Sequence, residues 1–169
     1  AQTAITVLRT LYIEETAIHK GIAQTVWLGR MTKVAEHPYI YVDGAHNVAA
    51  WEYLRTSVEK YFTNRRVIYI IGVLKDKEYE KMVEILAPTM AAAVVITPDT
   101  PRGLPKEILA PLIQAQGVPV QLADTSAEAL QKAREQAGET GVILVSGSLS
   151  FLAEYLQLES GDENNGASR

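Results

Sequence analysis

Apolar positions along this chain switch between two periods, and the switching lays out the elements in order. Ile5, Leu8 and Tyr12 recur at helical spacing with Val7 and Leu11 beside them, which predicts a helix over 1–13 and a further helical turn over 17–24. Residues 31–36 read as a strand, His37-Pro38 as a turn, and Tyr39-Ile40-Tyr41-Val42 as a second strand, so an antiparallel hairpin is expected. From Asn47 to Phe62 the helical period returns, with Trp51, Leu54, Val58, Tyr61 and Phe62 on one stripe.

The middle of the chain changes character. Residues 66–73 form a continuous apolar run, and shorter runs follow at 91–97, 118–122 and 142–145. Strands without polar alternation are buried on both faces, which is the habit of parallel sheets. Between them lie helical patterns: 78–86 with Tyr79, Met82, Val83 and Leu86 inward and Pro88 as the stop, then Ile108, Leu109, Leu112 and Ile113 on one side of a helix after the loop 98–105. Thr125-Ser126-Ala127-Glu128 has capping-box spacing and opens a helix through Ala137. A last helix is expected over 149–158, and 159–169 is polar enough to predict a disordered tail. Strand and helix alternating at this rhythm give an α/β fold, a Rossmann-like doubly wound sheet, mostly parallel with an antiparallel edge strand. Right-handed crossovers then bring the strand ends at Asp43, Val73, Thr97 and Ser146 to one edge.

Composition narrows the function classes. A chain of 169 residues with 47% apolar and 21% charged residues is an ordinary globular protein with room for one sizeable core. A net charge of −4 argues against nucleic-acid binding, which needs clustered Lys and Arg. The basic doublet Arg65-Arg66 is expected to cap a helix end. Cysteine is absent, so disulfides and thiolate chemistry are excluded, in keeping with a cytoplasmic protein. No apolar run approaches the ~20 residues of a membrane span. The chain starts at Ala1 without Met and inside a helical pattern, and is read as a piece of a longer polypeptide.

The densest chemistry sits where the second strand meets its helix, at Asp43-Gly44-Ala45-His46-Asn47. In an open α/β sheet ligands dock at such strand ends. The Asp43 carboxylate suits ribose hydroxyls or the turn's own amides. Arg30, across the hairpin, suits phosphate oxygens or a surface salt bridge. His46 can donate to an anion, titrate near neutrality or cap the helix start; Asn47 reads as the N-cap. Lys75 and Lys77 offer charge to an acidic substrate or form a solvated turn. Asp76 between them could cap the next helix or orient His46, and Arg102 is a further anion candidate. Ser148, between the last strand and last helix, either holds a carboxylate at a helix N-terminus or is an ordinary cap. His19 and His37 lack a comparable setting. With three His and no Cys, a metal site wholly inside the chain is not expected. Neither a phosphate loop nor a dinucleotide fingerprint is present.

These motifs together carry a resemblance. Asp43-Gly44-Ala45-His46-Asn47 resembles the DGAHN signature of the folylpolyglutamate and dihydrofolate synthases of the Mur ligase superfamily. Trp27-Leu28-Gly29-Arg30 resembles their W-P-G-R, with Leu28 in place of the proline. Gly72-Val73-Leu74-Lys75-Asp76-Lys77 resembles their G-x-x-x-D-K turn, and Ser146-Gly147-Ser148-Leu149 their late G-S-L. The resemblance implies a Mur-ligase-type C-terminal domain over 29–158, preceded over 1–28 by a helical tail of an N-terminal ATPase domain or a linker. It implies ATP contacts at Arg30 and Asp43, and glutamate contacts at His46, Ser148 and Lys75. It further implies ATP-dependent addition of L-glutamate to folate, with Mg2+ ligands and the phosphate loop in that N-terminal domain. A cell-wall ligase of the same superfamily and a non-catalytic α/β partner-binding module are the alternative readings.

Overall fold

The computed structural model describes residues 2–25, 27–149 and 152–155. Two short helices lead, α1 (Gln2–Thr10) and α2 (Glu15–Gln24), followed by the hairpin β1 (Thr32–Glu36) and β2 (Tyr39–Asp43). Then come α3 (Val48–Tyr61), β3 (Val67–Ile71), α4 (Tyr79–Leu86), β4 (Ala92–Ile96), α5 (Lys106–Ala115), β5 (Val120–Ala123), α6 (Ser126–Ala137) and β6 (Val142–Ser146). Residues 149 and 152–155 are helical, while the rest of the expected last helix and the tail at 159–169 lie outside the described residues.

The strands form one sheet in the order β1-β2-β6-β3-β4-β5. β1 runs antiparallel to β2, and the other neighbouring pairs are parallel. The doubly wound sheet with an antiparallel edge is therefore the observed architecture. The last strand returns to sit between β2 and β3, so the ends of β2, β6 and β3 are neighbours: Asp43 pairs with Ser146, and Ser146 with Ile71.

Alternation along each buried strand feeds two separate cores. Val67, Tyr69 and Ile71 of β3, with Val142 and Leu144 of β6, pack with Trp51, Leu54 and Val58 of α3, Met82 and Leu86 of α4 and Leu109 and Ile113 of α5. Ile68, Ile70, Ile143 and Val145 point the other way, to Ala129, Leu130 and Ala133 of α6. A continuous apolar run thus serves two faces at once, each buried aliphatic side chain contributing about 1.5–3 kcal/mol.

Two apolar residues depart from the expected stripes. Tyr61 is 64% exposed because Phe62, one residue on, takes the inward place after Val58; Lys60 Nζ lies 5.1 Å from the Tyr61 ring instead. Ile108 is 48% exposed, since Leu109 and Ile113 already fill the inner face of α5. The expected capping box is also rearranged. Thr125 Oγ1 accepts from the Glu128 N–H at 3.1 Å, but the Glu128 carboxylate accepts from Asp124 N–H at 2.7 Å. That amide bond, then Lys132, holds the Glu128 carboxyl below its usual range. Finally, α1 buries none of its residues.

Candidate functional site

β2 ends on Asp43, and the carboxylate closes the turn that follows it. Oδ1 accepts from Ala45 N–H and Oδ2 from Met31 N–H, both at 2.8 Å. Asp43 is buried and does bond turn amides; each oxygen keeps a further lone pair for a hydroxyl. A second staple joins the same loops: Gly44 N–H donates to the Gly29 carbonyl at 2.7 Å. The same carbonyl accepts from Arg30 Nη1 at 2.9 Å, which holds the guanidinium against the turn rather than in a surface ion pair.

Gly44 is needed for this closeness. A Cβ there would lie 2.3 Å from Leu149 Cδ2 and 2.7 Å from Arg30 Nη1. His46 Nδ1 donates to the Gly44 carbonyl at 2.7 Å, so the neutral ring presents Nε2 as its acceptor. It is not the helix cap. Asn47 is, its Oδ1 accepting from Ala50 N–H at 2.8 Å.

The link to the last strand runs through one carbonyl. Ala45 O accepts from the Trp51 indole N–H at 3.1 Å, from Gly147 N–H at 3.1 Å and from the Ser146 hydroxyl at 3.3 Å. Trp51 and Ser146 are fully buried, so the bonds are sheltered from water, and the carbonyl keeps two donors when any one is removed. Gly147 has φ +117°, and a Cβ on it would come within 2.5 Å of the Gly72 carbonyl oxygen. Ser148, one residue beyond, is 2% exposed.

Arg30, Asp43, Gly44, His46, Tyr53 and Ser57 line one open cavity of about 310 Å3. It begins at the end of β2 and follows α3, whose N-terminus adds partial positive charge to that of Arg30. The cavity therefore offers a guanidinium fork, a carboxylate, an imidazole acceptor and an exposed tyrosine ring. Met31 N–H, the Ala45 carbonyl and Tyr53 were not among the candidates read from sequence. Tyr53 was within reach of helical periodicity, because Asn47, Ala50, Leu54 and Ser57 follow one another at helical spacing on the cavity side.

The other candidates lie elsewhere. Ser148 is bound to the cavity's rim through its neighbour Gly147 but does not line it. Lys75 donates from Nζ to the Pro101 carbonyl at 3.2 Å. Asp76 neither caps α4 nor reaches His46, because Arg102 grips it at both oxygens, Nη2 at 2.6 Å and Nε at 3.2 Å. That fork, together with Asp76's own backbone, lowers the Asp76 carboxyl from its usual range, and it occupies Arg102. His19 lies 3.6 Å from Glu15 on α2. Among the described residues no group of three or more His, Asp and Glu side chains could hold a metal ion, and no helix is long and apolar enough to cross a membrane.

Residues 29–149 match the family model described as Mur ligase, glutamate ligase domain. The dihydrofolate synthase/folylpolyglutamate synthase of Escherichia coli is 31% identical over 160 residues, covering 94% of this chain and 37% of the relative. That of Bacillus subtilis is 28% identical over 144 residues, covering 85% of this chain and 33% of the relative. The structure of E. coli FolC in complex with DHPP and ADP superimposes with a TM-score of 0.86 at 29% identity, over 95% of this chain and 38% of that one. The chain thus spans little more than a third of the length of these relatives. Over the superposed span it has the fold of E. coli FolC, and it belongs to the glutamate ligase domain family of the Mur ligases.

Proposed function

We propose that this domain is the C-terminal part of an ATP-dependent ligase that adds L-glutamate to folate, a folylpolyglutamate synthase that also acts as a dihydrofolate synthase. The observation that carries the reading is the convergence of Arg30, Asp43 and His46 on one cavity at the C-terminal sheet edge, in a chain whose relatives are folate ligases. Those relatives favour the folate branch over the cell-wall branch of the superfamily. Residues 1–28 serve as the connection to an N-terminal ATPase domain, and the cytoplasm is the place of work.

The reaction is amide formation in two transfers. The γ-phosphoryl group passes from ATP to a folate carboxylate, leaving ADP and an acyl phosphate. The glutamate amine then attacks the acyl carbon, the C–O bond to phosphate breaks, and phosphate leaves. Positioning and charge neutralisation do most of this work. Arg30 neutralises phosphate oxygens, and Asp43 accepts from the ribose with the lone pairs its turn leaves over. His46 and Ser148 seat the incoming glutamate, with Lys75 at the approach. Magnesium, when bound, would supply charge neutralisation in this chemistry; the described side chains do not form a site for it.

Two variants of the intact ligase test the reading. Arg30→Gln is expected to raise the KM for ATP about tenfold or more, the scale of a lost charged hydrogen bond, with the KM for glutamate little changed. Asp43→Asn keeps the side chain's shape and is expected to weaken ATP as well. An unchanged ATP KM in both overturns the nucleotide assignment. The 169-residue chain by itself is expected to show no turnover, because neither half of the site holds both reactants.

A further inference from the structure

The two guanidinium groups of Arg65 and Arg66 stand apart from the other described arginines. Arg9, Arg55 and Arg102 pair with carboxylates, Arg30 donates to a backbone carbonyl, and Arg134 has an interaction of its own. Arg65 has an aromatic face instead, its Cζ lying 4.8 Å from the Tyr39 ring centroid. The Arg66 guanidinium has no hydrogen bond, ion pair or ring contact among the described residues. Neither group caps α3, which corrects the expectation from sequence; the chain leaves α3 through Asn64 at φ +64°, with Arg65 N–H donating to the Phe62 carbonyl at 2.9 Å.

The backbone beneath them is rigid. Val142 N–H donates to the Arg66 carbonyl at 3.0 Å and Tyr39 N–H to the Gly141 carbonyl at 3.2 Å, so the starts of β2, β6 and β3 are locked side by side. Between them opens a cavity of about 610 Å3, lined by both arginines with His37, Tyr39, Asn64 and Thr140. Glu139 is its one acidic residue and pairs with neither arginine. Both arginines are exposed, and two neighbouring cations without a paired carboxylate attract an oxyanion even in a chain of net charge −4. A guanidinium stacked on an aromatic ring keeps its edge N–H groups free for an oxyanion, and its orientation is already set.

We propose that the N-terminal edge of the sheet carries a binding site for a multiply charged phosphate group. Arg66 and Arg65 are its principal ligands, and Asn64, Thr140 and His37 are supporting donors. The site lies at the opposite edge from the cavity at Asp43 and does not depend on the ligase reading. Free pyrophosphate and the diphosphate of a nucleotide share the chemistry it would recognise.

The experiment is an NMR titration of the 169-residue chain with inorganic pyrophosphate, and in a second arm with ADP, following the amides of Thr140, Gly141 and Gly44. Saturable shifts at Thr140 and Gly141 are expected with pyrophosphate. Their apparent affinity should fall at least tenfold in Arg65→Gln/Arg66→Gln and persist in Arg30→Gln. Arg66→Lys, which keeps the charge but loses the fork, is expected to fall between. If ADP moves Thr140 and Gly141 with the same dependence on the variants, the nucleotide diphosphate is also a source; if it moves only Gly44, the free anion is the one recognised. Shifts that grow without saturating, meaning an adventitious ion only, or that survive in the folded double variant or in Arg66→Lys at full strength, overturn the proposal.

Discussion

At the C-terminal edge of the sheet the polar groups are bound to one another before any ligand arrives; at the N-terminal edge they are not. Asp43 already accepts two amides, Gly29 O a backbone and a guanidinium donor, and Ala45 O three donors. Across the sheet, Arg65 rests on a ring and Arg66 on nothing described. The first arrangement holds the walls of the cavity in place through bonds among its own residues. The second leaves charge in reserve and contributes little to holding the fold. Substitutions at the two edges should therefore separate, with those at Asp43's end costing stability and those at Arg65's end costing it hardly at all.

The severest break is expected at Gly147→Ala. The new Cβ meets a backbone oxygen at 2.5 Å in a residue with φ +117°, and a backbone atom cannot swing away as a side chain does. Overpacking and left-handed strain together put the loss at about 3 kcal/mol or more, read from the midpoint of urea unfolding. A variant as stable as the parent would mean that the β6 turn is not the rigid rim of the cavity.

Trp51→Phe should cost less and say more about the site. It keeps an aromatic ring in the core and removes one of the three donors on Ala45 O. A lost buried hydrogen bond and the small void together amount to about 1–3 kcal/mol. In the intact ligase the KM values should rise with it, since the carbonyl also tethers Gly147. Equal destabilisation with unchanged KM values would make Trp51 a core residue and nothing further.

How much of this was open to a reader of the sequence follows from the range over which each feature is decided. Continuous apolar runs such as Val67–Ile71 announced buried parallel strands, and Asn47 announced the start of α3, because both are settled within a few residues. Arg30 and Asp43 were singled out by motif, yet the Met31 and Gly29 bonds that join them depend on hairpin register and could not be read. Tyr61 and Ile108 were misplaced because an apolar residue next to the stripe looks the same in sequence as one on it. Arg65-Arg66 and the Asp76–Arg102 pair were missed for a different reason: partners 26 residues apart, or two strands over, are chosen by the fold. Lys75, taken with the motif, sits outside the cavity lining because its amine is bound to the Pro101 carbonyl, and Ser148 sits outside it although its neighbour Gly147 is bound to the cavity's Ala45 carbonyl.

The Asp76–Arg102 pair offers the finest test of the contrast, because it is fully committed like the Asp43 turn but exposed like Arg65. Arg102's fork holds the Asp76 carboxyl below its usual range. A carboxylate with a lowered folded pKa stabilises in full above its unfolded pKa of about 4, and that contribution disappears as pH falls through the lower folded value. Asp76→Asn should thus lower Tm slightly near neutrality, with the difference from the parent closing in acid and shrinking in high salt. Both groups are solvated, so the effect should be the smallest of the three. If Asp76→Asn cost as much as Trp51→Phe, commitment rather than burial would carry the energy, and the stability of the C-terminal edge would need no sheltered bonds to explain it.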